Sequence, residues 1–336
     1  MCDILKHTTM KTGDKTMKKI HRTLSLFTVA AMCAALLCSC GAVSDSSQTD
    51  SSSKAATTTT ADTTADTTTA GEESSTASAT SAPDSSVSDS SSAVTDDTKT
   101  NGITPAMWKV TSPEGSTMVM LGSFHALKDE CYPLPEAVTN AYNNADILAV
   151  ECDITSTSED GEYMKNLMKQ MLYNDNTKLS QHISEEAYSA LQTYLGYWGM
   201  DISALEVYRP WAVSSTLDTL LIQDSDFDTE KGLDNFLLTT AHADGKEIYE
   251  VESVDFQMNL LINFSDDIYD LMFRSYKGET KESQKQALED LYTAWKSGDI
   301  ETFLEEDNEE ELAGYTEEDK KIAEDYNNQM LYDRNK

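Results

Sequence analysis

Basic residues are scarce: 25 Lys and Arg stand against 59 Asp and Glu in 336 residues, a formal net charge of −34. A phosphate backbone is bound by clustered cations that displace its counterions, so this balance excludes nucleic acid as a partner. It equally excludes adhesion to anionic lipid by charge alone. High acidity here serves solubility. Cysteine is scarce where a fold would need it. Of six, four (Cys2, Cys33, Cys38, Cys40) precede residue 41, leaving only Cys131 and Cys152. That is no disulfide framework, and Cys152, inside an apolar run, reads as a small buried side chain. A membrane-spanning run is lacking too. The longest apolar stretch, residues 24–38 (LSLFTVAAMCAALLC), is shorter than the roughly 20 residues a spanning helix needs. Residues 43–100 contain no aromatic residue, no Leu and no Ile. Such a segment cannot bury enough apolar surface to offset the entropy of ordering, and it is expected to be disordered.

The amino terminus reads as an address. Lys18, Lys19, His21 and Arg22 precede the apolar run, which ends in Leu37-Cys38-Ser39-Cys40-Gly41. A basic patch, a short apolar run and small residues make a signal peptide over residues 1–39, and Met17 would give a more usual signal length than Met1. The ending resembles the lipobox of bacterial lipoproteins, which implies a lipid on Cys40 and export to the outer face of the membrane. Residues 40–100 then form a Ser/Thr-rich tether with a reach of about 40 Å as a flexible coil. One acidic globular domain is expected over 101–336.

That domain reads as mixed α and β. Met107-Trp108-Lys109-Val110-Thr111 and Thr117-Met118-Val119-Met120-Leu121-Gly122 form a hairpin around Pro113-Glu114-Gly115-Ser116. A helix over 133–144 and the apolar run 146–151 make residues 117–153 a strand–helix–strand unit with its two strands parallel. A third strand is expected over 246–251, after a helix over 233–243. Further helices are expected over 162–173, 185–195, 211–222, 254–263, 282–296, 300–306 and 317–332. The acids of 224–228 fail as a calcium loop, because Thr229 and Asn235 stand where Gly and a bidentate Glu are required.

Parallel strands bring their carboxyl ends to one edge, where ligands bind in open α/β sheets. His125, Glu151 and Glu252 each follow a strand end. One His and two carboxylates suit either a divalent metal or an acid–base pair. Glu151 at the end of an apolar strand needs a partner, for which Arg209 is a candidate. Arg209 is equally suited to a substrate carboxylate. Trp211 and Trp295 read as core, and His182 and His242 as without a role in chemistry.

An ordered series of motifs resembles the TraB/GumN family, which includes the Tiki metalloproteases. It comprises residues 107–154 with Gly122-Ser123-Phe124-His125 and Tyr132-Pro133-Leu134-Pro135, then Arg209-Pro210-Trp211, Gly232-Leu233-Asp234, and Val251-Glu252-Ser253 with Gln257. Ala294-Trp295, Gly298-Asp299 and Arg334-Asn335 complete it. The resemblance implies a central mixed sheet, with the hairpin and the strand–helix–strand unit, flanked by many helices. In Tiki-like members it implies a metal-dependent peptidase with two Gly-x-x-His motifs and a Glu. It matches His125 and Glu151 to the ligands of a divalent metal (Mn, Co or Zn); with these, Glu151, Glu252 and Arg209 are expected in catalysis, and Arg209, Asp234 and Arg334 at the substrate. The second Gly-x-x-His is expected a few dozen residues past Arg334-Asn335, and no His follows His242. The chain is therefore expected to be a fragment, or its site incomplete. The alternative is a non-catalytic lipoprotein that sequesters a peptide or small ligand, since some members are linked to peptide-pheromone shutdown. Haem binding is a weaker third expectation.

Overall fold

A computed structural model describes residues 102–155, 161–301 and 314–334. The signal segment, Cys40, the tether and the helix expected over 300–306 lie outside the described residues, except for Ile300 and Glu301. The class is mixed α and β, as expected. Strands β1 (Met107–Thr111) and β2 (Thr117–Leu121) form the hairpin, antiparallel, with Trp108 opposite Met120 and Val110 opposite Met118. Gly115 carries φ 91° in the turn, a value that favours glycine.

The second ladder differs from expectation. β3 (Ile147–Val150) pairs in parallel with β4 (Glu247–Glu250), Ile147 opposite Glu247, and the strands make two ladders of two. β2 and β3 are not hydrogen-bonded to each other. The crossover through helix α1 (Glu136–Asn144) constrains the hand of a parallel connection, not the adjacency of its strands. β3 is also less buried than its apolar sequence implies, with Ile147 45% exposed.

The other described elements are helical: α2 (Gly161–Gln170), α3 (Glu185–Gly196), α4 (Pro210–Gln223), α5 (Leu233–Asp244), α6 (Val254–Ile262), α7 (Asp266–Arg274), α8 (Lys281–Ser297) and α9 (Glu317–Asn327), the last running into a π-helical turn over Asn328–Asp333. Helix α7 has no counterpart among the helices expected from sequence, while α9 and its π-helical turn together fill the last helix expected, over 317–332. The helix starts follow local chemistry. Ser184, Ser253 and Ser265 each accept a backbone N–H of the first turn, Thr280 and Ser283 cap reciprocally, and Pro210 opens α4 where no N–H is needed. None of these helices is long and apolar enough to cross a membrane.

Two apolar clusters hold the described residues together. The larger joins α3, α4, α6, α7 and α9 through Tyr194, Leu195, Trp211, Leu217, Met258, Tyr269, Phe273 and Tyr326. The smaller fixes the segment after β2: Phe124, Leu127, Cys131 and Val138 pack with Phe227, Leu233, Tyr292 and Trp295. Trp211 and Trp295 are core, as read. Cys131 and Cys152 are both buried and free.

Candidate functional site

The chain beyond β2 is built to hold His125 still. Phe124 is buried against Phe227, Tyr292 and Trp295, and the Trp295 indole N–H donates to the Gly122 carbonyl at 2.8 Å. Leu127 and Asp228 exchange backbone hydrogen bonds of 3.1 and 3.0 Å, and Leu233 N–H donates to the Phe124 carbonyl at 3.0 Å. These bonds lay the start of α5 along the 124–127 segment. Gly232 makes the approach: a Cβ there would stand 2.1 Å from the His125 carbonyl oxygen.

The approach delivers Asp234 to His125. Asp234 Oδ2 lies 2.7 Å from His125 Nδ1, and the same oxygen accepts the Ser123 hydroxyl. A carboxylate accepts, so Nδ1 carries the proton and Nε2 is the acceptor of the neutral ring. Nε2 has no hydrogen-bond partner among the described residues. Burial alone would lower the His125 pKa. The Asp234 hydrogen bond and the charges of Asp234 and Glu151 overcome it and raise the value above the usual 6.5, against the opposing charge of Arg334. Burial pushes the Asp234 carboxyl upward, and His125 and Ser123 outweigh that and hold it below its ordinary range.

The second ladder supplies the carboxylates. Its pairing continues past the strands, from Val251 N–H to the Val150 carbonyl at 2.9 Å and from Glu252 N–H to the Glu151 carbonyl at 2.8 Å, which sets Glu151 and Glu252 side by side. Arg334, just past the π-helical turn, joins them. Its Nε donates to both Glu252 oxygens, at 2.8 and 2.9 Å, and its Nη2 to Glu151 at 2.5 Å. Gln257 Nε2 donates to Glu151 at 3.0 Å and to Glu252 at 2.8 Å, and the Cys152 thiol donates to Gln257 Oε1 at 3.3 Å. Burial disfavours the Glu252 charge, but Arg334 and Gln257 hold its carboxyl below the ordinary value. Burial and the neighbouring acids, Glu151 first, push the Cys152 thiol up to about 12, so it is no nucleophile.

Of the residues expected at the site, His125, Asp234, Glu151, Glu252 and Arg334 come together and Arg209 does not. The Arg209 guanidinium donates to the Ile262 carbonyl at 3.3 Å, beside Tyr173, and Arg334 takes the partnership with Glu151 that Arg209 was expected to make. Asp234 holds His125, and Arg334 holds the two glutamates. Gln257, a position of the motif series with no role expected from sequence, bridges the two glutamates. Both histidines read as without a role hold acids: His182 pairs with Asp266 and His242 with Asp153, each at 2.8 Å.

His125 Nε2 and the Glu151 carboxylate are the donors available to a divalent metal, and Glu151 already faces a guanidinium. Catalytic metal sites use three protein ligands as a rule. No group of three or more His, Cys, Asp and Glu side chains suited to a metal ion exists among the described residues, so the donor set does not fit one by itself.

Comparison with known proteins agrees with the motif series. The chain is similar to Uncharacterized protein YbaP of Escherichia coli (strain K12), with 28% identity over 157 residues, 47% of this chain and 56% of that protein. The protein of the same name from Shigella flexneri matches to the same extent. The aligned stretch thus spans little more than half the length of these relatives. No solved structure gives a significant match. The family model for TraB/PrgY/gumN matches residues 106–336, every element of the site included, and the chain belongs to the TraB/PrgY/gumN family.

Proposed function

We propose that this chain is a hydrolase acting on a peptide or similar small substrate, with His125 as general base. The observation that carries the reading is the His125 ring, its Nδ1 proton held by Asp234 and its Nε2 without a partner. A water placed at Nε2 gives its proton to the ring as its oxygen attacks the scissile carbonyl, and the imidazolium then returns that proton to the leaving nitrogen as the carbon–nitrogen bond breaks. Asp234 and Glu151 stabilise the imidazolium that forms, and Asp234 fixes the ring orientation throughout. General-base catalysis of this kind contributes about 10²–10⁴ in rate. A divalent metal remains a proposal that rests on His125 Nε2 and Glu151. Two donors fall short of the three protein ligands that catalytic sites use as a rule.

The domain is proposed to work at the outer face of the bacterial membrane, anchored by a lipid on Cys40. The basic patch, the apolar run and the Leu37-Cys38-Ser39-Cys40 ending support this. Radiolabelled palmitate should enter the wild-type protein and not Cys40→Ala. Label retained by that variant refutes the anchor.

Peptide mass spectrometry tests the hydrolase. The purified chain is incubated with a mixed peptide library, with and without divalent metal. Cleavage products are expected from the wild type and not from His125→Asn. A second reading, sequestration without cleavage, is favoured by the Arg334 clamp, which ties up both glutamates. Peptides retained intact in both metal conditions would select it over hydrolysis.

A further inference from the structure

Glu151 is held more firmly than its surroundings require. Its side chain is 63% exposed, so water alone would solvate the charge, whereas Glu252 beside it is 12% exposed and needs partners. Yet Glu151 Oε2 accepts two directed donors, Arg334 Nη2 at 2.5 Å and Gln257 Nε2 at 3.0 Å. A long exposed side chain otherwise samples several rotamers, and two bonds converging on one oxygen restrain it. The charge so restrained acts on His125.

Gln257 is placed for this by its helix. Ser253 caps α6 by accepting the Phe256 N–H, and Gln257 N–H donates to the Ser253 carbonyl at 3.1 Å. Val254, Met258, Leu261 and Ile262 of the same helix are buried in the larger apolar cluster, which also takes in Cys152. The Gln257 amide then meets three partners. Nε2 has two protons and gives one to Oε2 of each glutamate, while Oε1 accepts the Cys152 thiol at 3.3 Å. Turned over, the amide would set Oε1 against both carboxylates and Nε2 against sulfur, a weak acceptor. We propose that Gln257 is a positioning residue, its amide oriented by the Cys152 thiol so that the Glu151 carboxylate is held still at the His125 site. Its effect on turnover rests on the general-base reading of His125, whereas the relay from thiol through amide to carboxylate does not.

Two cysteine variants of the full chain separate the hydrogen bond from packing. Cys152→Ala and Cys152→Ser both remove the sulfur, and only serine keeps a donor. Heteronuclear NMR reads the Gln257 side-chain amide, assigned by its loss in Gln257→Met, and the His125 ring at one fixed pH. Exchange of the Gln257 Nε2 protons with solvent is expected to quicken at least about tenfold in Cys152→Ala and to stay near the wild-type rate in Cys152→Ser. The His125 ring resonances should move in the same direction in Cys152→Ala and Gln257→Met and return in Cys152→Ser, while the backbone amides of α3 report an intact fold in all three. Equal effects of the two cysteine variants, or none from either, overturn the proposal, as does a His125 ring that ignores Gln257→Met. Peptide cleavage is read in parallel, and its rate should fall in Cys152→Ala and recover in Cys152→Ser. A wild type that cleaves nothing, with the amide and the ring responding as expected, overturns the hydrolase and supports the relay.

Discussion

His125 Nδ1 and Asp234 Oδ2 stand 2.7 Å apart across 109 residues of sequence, and this contact sets the charge and orientation of the ring. Because the folded His125 pKa is raised above 6.5, the pair stabilises the fold fully below pH 6.5 and loses that contribution as pH rises through the folded value. Asp234→Asn should therefore cost most on the acid side, about 1 kcal/mol given that the side chains are 32% and 24% exposed. The imidazole titration followed by NMR should move from above 6.5 in the wild type to a lower value in the variant, where burial prevails. Hydrolysis by the neutral ring should rise with pH above 6.5 in the wild type and begin at lower pH in the variant.

Arg334 and Glu252 form a half-hidden pair, 13% and 12% exposed. Removing the cation strands a carboxylate in poor solvent, so Arg334→Gln should cost about 3 kcal/mol in urea unfolding. Replacing both partners with apolar residues, as in Arg334→Met with Glu252→Leu, should recover most of that, since the only carboxylate left without the cation is Glu151, 63% exposed and solvated. The Glu252 pKa is depressed below 4.5, so the stabilisation is present above pH 4.5 and fades as pH falls through the folded value. The wild type and Arg334→Gln should converge in strongly acid solution. A constant gap from neutral to acid pH would count against the ion pair as the cause.

How much of this could be read beforehand follows from which interactions are local. The hairpin was legible because Glu114-Gly115 announces its own turn. The helices were legible from serine and threonine caps and apolar spacing, α7 excepted: Ser265 caps it, but acids at Asp266, Asp267 and Asp270 disguised its buried face of Ile268, Leu271 and Met272. His125, Glu151 and Glu252 could be placed at strand ends, and those ends do meet. The partner of Glu151 could not be placed, because Arg209 and Arg334 are both remote from it in sequence, Arg334 by 183 residues, and only the packing of the last turn chooses between them. The pairing of β3 with β4 was hidden for the same reason, since both neighbours suit a parallel strand equally well.

Asp218 lies on α4 at 3% exposure. Burial raises its pKa well above 3.8, so keeping it neutral costs stability increasingly as pH rises from that of the free acid toward the folded value. Asp218→Asn removes the ionisation at little change in volume. The variant should melt several degrees above the wild type at pH 7, at about 2–4 °C per kcal/mol for a chain of this size, and close to it near pH 4. A calorimetric pair of scans at the two pH values decides the matter. Equal shifts at both would mean that the charge is not the source.

Gly232 is required by space rather than by backbone conformation, since its φ of −51° and ψ of 145° suit any residue. The added Cβ would meet the His125 carbonyl oxygen at 2.1 Å and its carbon at 2.6 Å, both backbone atoms with no flexible end to swing away. Gly232→Ala must therefore push the start of α5 off the 124–127 segment, weakening the Leu233 to Phe124 hydrogen bond and drawing Asp234 from His125. The expected cost exceeds about 2 kcal/mol, and the imidazole titration should fall toward that of Asp234→Asn. Gly196, at the end of α3, is the control, because nothing lies within 4 Å of its added Cβ. Gly196→Ala should be neutral or stabilise by up to about 1 kcal/mol, as alanine does in a helix, and should leave the His125 titration unmoved. If Gly232→Ala melts like the wild type with an unchanged titration, the close approach of α5 is not what holds the histidine in place.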